Sequence, residues 1–79
     1  AEFDLAAQIN DKMNNEIIFQ VLDRLEQKYK EVLVLKFFEE KSYEEISDII
    51  KKPMGTVGTL ISRAKRQFKK EFGRQDIKL

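Results

Sequence analysis

Thr56, Thr59, Ser62, Arg63, Arg66 and Lys70, with Gly55 ahead of them, recur at steps that gather them on one side of a 3.6-residue helix. Hydroxyls exchange hydrogen bonds with base edges, the threonine methyl suits a thymine methyl, and a guanidinium forks onto guanine or onto a phosphate. Met54, Val57, Ile61, Ala64, Phe68 and Phe72 recur at steps of three and four on the opposite side. One face therefore suits a nucleic-acid groove and the other a protein core. Gly55 and Gly58 each cost about 1 kcal/mol against alanine inside a helix. Gly58 has two readings, close approach of the backbone to a bound partner or room for a neighbouring helix. Gly55 falls in the loosely held first turn.

Other chemistry is excluded by what is missing. The chain has no His and no Cys, which removes a Ser-His-Asp triad, a cysteine nucleophile, a disulfide and the usual zinc ligands. No catalytic, metal-binding or cofactor-binding set is expected, nor a small-molecule substrate. Glu39, Glu40, Glu44 and Glu45 are numerous, but helix-end solvation and capping account for them. The two glycines of GTVGT lack the G-x-x-x-x-G-K-[ST] spacing after a strand that a phosphate-binding loop needs.

The polar face needs a support, and residues 42 to 52 supply one. Ser42 stands three residues ahead of Glu45, the S-x-x-E spacing of a capping box. Tyr43, Ile46, Ser47 and Ile50, with Ile49 beside them, line one side of a short helix, and Ile49 is expected to fill a core position. Pro53 stops that helix and suits the start of the next. A short acidic helix, a tight turn and a longer helix with hydroxyls first and cations later is a helix-turn-helix, whose second helix lies in the DNA major groove.

The remaining elements follow in order. Residues 1 to 14 show no sustained period and are expected to be a linker or tag-like segment, although Phe3, Leu5, Ile9 and Met13 form a weak apolar line. From Glu16, Ile17, Ile18, Val21, Leu22 and Leu25 define an amphipathic helix capped by Asn14 or Asn15, with a pause expected near Glu26 or Gln27; since no Gly or Pro marks the break, a continuous helix to residue 39 stays open as the alternative. VLVLKFF has the composition of a strand, but nothing offers it a partner strand and its flanks are polar, so a helix is predicted from Tyr29 to Phe38. It is apolar nearly all round and should be the central helix, with Lys36 emerging at a surface. Gly73 is a natural left-handed stop, and residues 73 to 79 should be a frayed tail.

The expected fold is all-α: one compact four-helix domain over residues 15 to 72 containing a helix-turn-helix, without winged elements. At 79 residues there is room for one core, stabilised by helix packing alone. No apolar run is long enough to cross a bilayer, and the acidic start AEFDLAAQINDK is unlike a secretory signal. No membrane insertion is expected, and the cysteine-free composition is compatible with the cytoplasm. The net charge of +1 hides a division. Residues 1 to 52 carry eight Lys or Arg against twelve Asp or Glu, net −4, and residues 53 to 79 carry seven against two, net +5. A localised basic helix on a near-neutral chain points to an oriented contact with nucleic acid.

SYEEISDIIKKPMGTVGTLISRAKRQF resembles region 4 of the bacterial extracytoplasmic-function sigma factors, where S-Y-E-E-I-A-x-I-L-x-x-P-x-G-T-V-x-S-R-x-x-R-A-R is typical, and LDRLEQKYKEVLVLKFFEEK is similar to the helical pair that leads into it. The resemblance spans Ile17 to Phe72, with Gly58 and Leu60 standing where the family often has basic residues and Glu26 where it often has proline. It implies promoter DNA as partner through the minus-35 element, docking on the flap of the RNA polymerase beta subunit, and capture by an anti-sigma factor. It also implies a DNA-backbone contact for Lys36. The expected DNA-binding set is Lys36, Tyr43, Thr56, Gly58, Thr59, Ser62, Arg63, Arg66 and Lys70, with the Tyr43 ring on the core and its hydroxyl at a phosphate. Two rivals share these features: the DNA-binding domain of a LuxR-type response regulator, and a helical protein-interaction module that presents Leu60 as an exposed apolar residue.

Overall fold

The computed structural model describes Leu5 and residues 15–74. The expected linker, apart from Leu5, the Asn14 cap and the tail beyond Arg74 lie outside the described residues. Among the described residues from Asn15 onward four helical units follow one another, and no strand occurs. α1 is Asn15–Asp23, α2 is Gln27–Leu33 and continues as a π-helical segment Val34–Phe38, α3 is Tyr43–Ile50 and α4 is Met54–Arg74.

The pause after α1 is real and falls at Arg24 to Glu26. The amides of Arg24 and Leu25 reach back only three residues, to the carbonyls of Val21 and Leu22 at 3.0 Å, and Glu26 then turns extended at φ −59°, ψ 148°. That φ is the one a proline ring would impose, so Glu26 adopts proline's backbone where the related family often has proline. Its carbonyl opens α2 by accepting from the amides of Tyr29 and Lys30 at 3.0 Å. Asn15 is already helical and its buried Oδ1 has no hydrogen-bond partner, so it is not the cap of α1.

The predicted helix through Phe38 forms, but its second half widens. The Glu39 amide bonds the Val34 carbonyl, five residues back, at 3.0 Å. Such a widening shifts the register of the side chains that follow and recurs at functional sites. Glu40, at φ 56°, then turns the chain toward α3.

The capping box of α3 is present as the sequence predicts. The Ser42 hydroxyl accepts from the Glu45 amide at 3.1 Å, and the Glu45 carboxylate accepts from the Ser42 amide at 2.9 Å. The bond from the Ser42 backbone, reinforced by the Ser42 side chain, holds the Glu45 carboxyl below its ordinary value. The charged form is therefore favoured in the folded state. This contribution is full above the unfolded carboxyl's pKa and fades as pH falls through the lower folded one. Ser42→Ala is expected to destabilise the domain by about 1 kcal/mol in urea unfolding. An unshifted midpoint would show that the cap contributes nothing in solution.

α3 ends at Lys51, which takes the left-handed conformation at φ 61°. The amides of Lys51 and Lys52 both reach the Ser47 carbonyl, and the Ser47 hydroxyl donates to the Lys52 carbonyl, so the turn closes on itself. Pro53 follows, and its carbonyl accepts from Val57 at 3.0 Å as α4 begins.

The core gathers Ile18, Val21 and Leu22 of α1, Val32, Leu33 and Leu35 of the second unit, Ile46 of α3, and Val57, Ile61, Ala64 and Phe68 of α4. Leu5 joins it at 3 % exposure. α4 is the hub, since α1, α2 and α3 all pack on it. The VLVLKFF segment is one wall rather than the centre: Val34, Phe37 and Phe38 are only partly buried.

Four further expectations are corrected. Ile49 is 47 % exposed and Met54 50 %. Ile46 and Ile50 fix the inner side of α3, and at about 100° per residue Ile49 falls on the flank of Ile46 away from Ile50. Met54 opens α4 beyond the reach of the core. Leu60, expected to be exposed, is partly buried against the core. α4 also runs through Gly73 to Arg74, and no described glycine has positive φ, so Gly73 is not a left-handed stop.

Candidate nucleic-acid interface

α4 divides cleanly. Val57, Ile61, Ala64 and Phe68 are buried, while Thr56, Thr59, Ser62, Arg63, Arg66 and Lys70 are exposed. At about 100° per residue, Thr56, Thr59, Arg63, Arg66 and Lys70 fall within about 80° of arc, opposite the buried strip, with Ser62 to one side. Hydroxyls occupy the N-terminal part and cations the C-terminal part. At about 1.5 Å per residue, Thr56 to Lys70 extends over roughly 21 Å.

The cations of this face are electrostatically free. The ion pairs among the described residues join Lys28 to Glu26, Lys30 to Asp23 and Arg74 to Glu71, and none involves Arg63, Arg66 or Lys70. Three positive groups on one solvent-facing strip, without internal carboxylates, can meet an anion without first breaking a contact.

Lys36 and Tyr43 come from separate elements and are brought together. The Lys36 ammonium lies 5.0 Å from the centroid of the Tyr43 ring, within reach of a cation–π attraction. Tyr43 remains 38 % exposed at the start of α3, so its ring is less buried than the expected core contact. The ring also meets α4: a Cβ built at Gly58 would stand 3.6 Å from Tyr43 Cε2, an ordinary contact. Gly58 is thus half-buried at the junction of α3 and α4. Nothing comes within 4 Å of the Cβ position of Gly55.

Two contacts were not among the sequence expectations. The Thr59 hydroxyl donates to the Gly55 carbonyl at 3.1 Å. Lys65, on the flank of α4, lies 5.7 Å from the Phe37 ring and so ties the flank to the π-helical segment. The first had a signal, a threonine four residues after a glycine in a helix; the second had none. No cluster of acidic residues that could hold a metal ion occurs among the described residues, and none of the described helices is long and apolar enough to cross a membrane.

A short capped helix, a turn closed through Ser47 and a long helix with a free polar face reproduce the helix-turn-helix expected from the sequence. The family described as Sigma-70, region 4 matches residues 15–68 of this chain. The chain belongs to that family. The match takes in α1 and the second helical unit as well as the helix-turn-helix, and together with the relatives that follow it bears out the resemblance to the extracytoplasmic-function sigma factors. This region 4 domain is 37 % identical over 66 residues to the ECF RNA polymerase sigma factor SigW of Bacillus subtilis, covering 84 % of this chain and 35 % of that protein. Two further Bacillus subtilis proteins are similar. RNA polymerase sigma factor SigV is 32 % identical over 60 residues, and RNA polymerase sigma factor YlaC is 36 % identical over 60 residues. Each of these alignments covers 76 % of this chain, and 36 % and 35 % of the respective relatives. The chain therefore spans about a third of the length of the curated relatives it matches. No solved structure matches the chain.

Proposed function

We propose that this region 4 domain is the promoter-reading part of an alternative sigma factor, with α4 lying in the major groove of a minus-35 element. Thr56 and Thr59 face base edges, Ser62 and Arg63 meet a base edge or a phosphate, and Arg66 and Lys70 hold the backbone. Lys36 and the Tyr43 hydroxyl add a phosphate contact from beside the groove. Gly58 lies beside this pair, at the junction of α3 and α4. The observation that carries the reading is the strip of exposed hydroxyls and unpaired cations opposite the buried side of α4. The names of the relatives, RNA polymerase sigma factors, support RNA polymerase core as the second partner, met through the flap of its beta subunit. An anti-sigma factor that masks the same surfaces is the third. The domain acts as a cytoplasmic binding module with no catalytic step of its own.

Selection of bound duplexes from a random pool tests the reading and reports which bases are read. A sigma domain selects one asymmetric site, whereas a dimerising response-regulator domain selects inverted half-sites. On the selected duplex, Arg63→Ala is expected to weaken binding by about 1–3 kcal/mol. Unchanged affinity would remove this face of α4 from the interface.

A further inference from the structure

We propose that Thr59 selects an A·T base pair through its methyl group and an oxygen lone pair, and does not donate a hydrogen bond to DNA. The inference rests on the major-groove docking argued above and names what one residue of that face can recognise. A threonine hydroxyl has one hydrogen. In Thr59 that hydrogen is directed at the Gly55 carbonyl, 3.1 Å away, one turn back along the same helix. Gly55 itself carries no side chain to compete for the space beside this bond. The side chain is stiff at its first torsion because it branches at Cβ. With the donor spent inside the helix, an exposed Thr59 offers a partner only a methyl group and an acceptor.

The base edges differ in what they ask of such a group. Guanine shows two acceptors, N7 and O6, in the major groove and so gives a donorless side chain nothing to bond. An A·T pair shows a donor at adenine N6 and a methyl on thymine, the complement of what Thr59 presents. Cytosine also has a donor, but no methyl beside it. Arg63, one turn further along the strip, is a pure donor and takes the complementary task, a guanine edge or a phosphate. The hydrogen bond within α4 thus divides recognition between two neighbouring residues.

The test uses the 79-residue chain and the duplex recovered from the random pool, with its thymines replaced one at a time by deoxyuridine, which lacks only the methyl. The wild type is expected to bind about fourfold more weakly when one particular thymine is replaced, the effect of one buried methyl group. Thr59→Val, which keeps the methyl and lacks the hydroxyl, should show the same sensitivity at the same position. Thr59→Ser should be indifferent there. Helicity by circular dichroism confirms that both variants fold. The inference is overturned if no thymine is sensitive in the wild type, if Thr59→Ser retains the wild-type sensitivity, or if Thr59→Val binds no better than to random DNA. The last outcome would mean that the hydroxyl, and not the methyl, carries the recognition. A wild-type chain that does not prefer the selected duplex over random DNA defeats the promoter reading itself, and the Thr59 inference with it. The two failures are therefore read from different arms.

Discussion

Phe68→Ala is expected to destabilise the domain by about 3–5 kcal/mol, enough to leave much of the population unfolded near room temperature. Phe68 is fully buried on the inner side of α4, the helix on which α1, α2 and α3 all pack, and its ring stacks on Phe72 at 5.9 Å. Truncation removes the transfer energy of the ring and leaves a cavity between several elements, which cannot all collapse into it at once. A domain of this size has only about 5 kcal/mol in reserve, and without cysteine no disulfide limits the loss. Ile49→Ala is the control. With Ile49 half-exposed, its truncation should cost well under what Phe68→Ala costs, although the periodicity of α3 places it near the core. Urea unfolding of the two variants side by side decides the point. Equal losses would mean that the face of α3 is rotated in solution, and an unshifted Phe68→Ala midpoint would mean that α4 is not the hub.

The second large effect is expected in the salt dependence of DNA binding. If Lys36, Arg63, Arg66 and Lys70 each neutralise a phosphate, the slope of log affinity against log salt should be about −3.6. Between 50 and 200 mM salt, affinity then falls on the order of a hundredfold. Arg63, Arg66 and Lys70 start without ion pairs among the described residues, so no internal bridge at these groups has to be broken as salt changes and the slope should report phosphate contacts directly. Arg66→Ala should lower its magnitude by about 0.9, whereas Thr59→Val should leave it unchanged. A slope near zero would contradict a groove-docked α4.

Much of this architecture can be read from the residues because its signals are local. The capping box at Ser42 and Glu45 needs only a spacing of three, Pro53 ends one helix and admits another through its missing amide hydrogen, and the polarity of α4 follows from rotation along a single helix. The pause before α2 carries no such mark, because Glu26 reaches the extended backbone without proline. Because the other signals are local, the family could be recognised from the sequence, as the match over residues 15–68 bears out.

Sequence alone therefore determined an all-helical fold, the break between the last two helices, and which side of α4 turns from the core. Tertiary structure alone decided how far each apolar side was covered, because burial depends on what lies opposite: Ile49 and Met54 meet solvent, Leu60 meets the core, and Leu5 is drawn in from outside the expected domain. It also decided which distant groups meet, setting the Lys36 ammonium over the Tyr43 ring and that ring against Gly58. Such contacts depend on the π-helical widening at Val34–Phe38 and on the angle at which α3 meets α4. Neither has a period in the sequence, since both are set by how several helices share one small core.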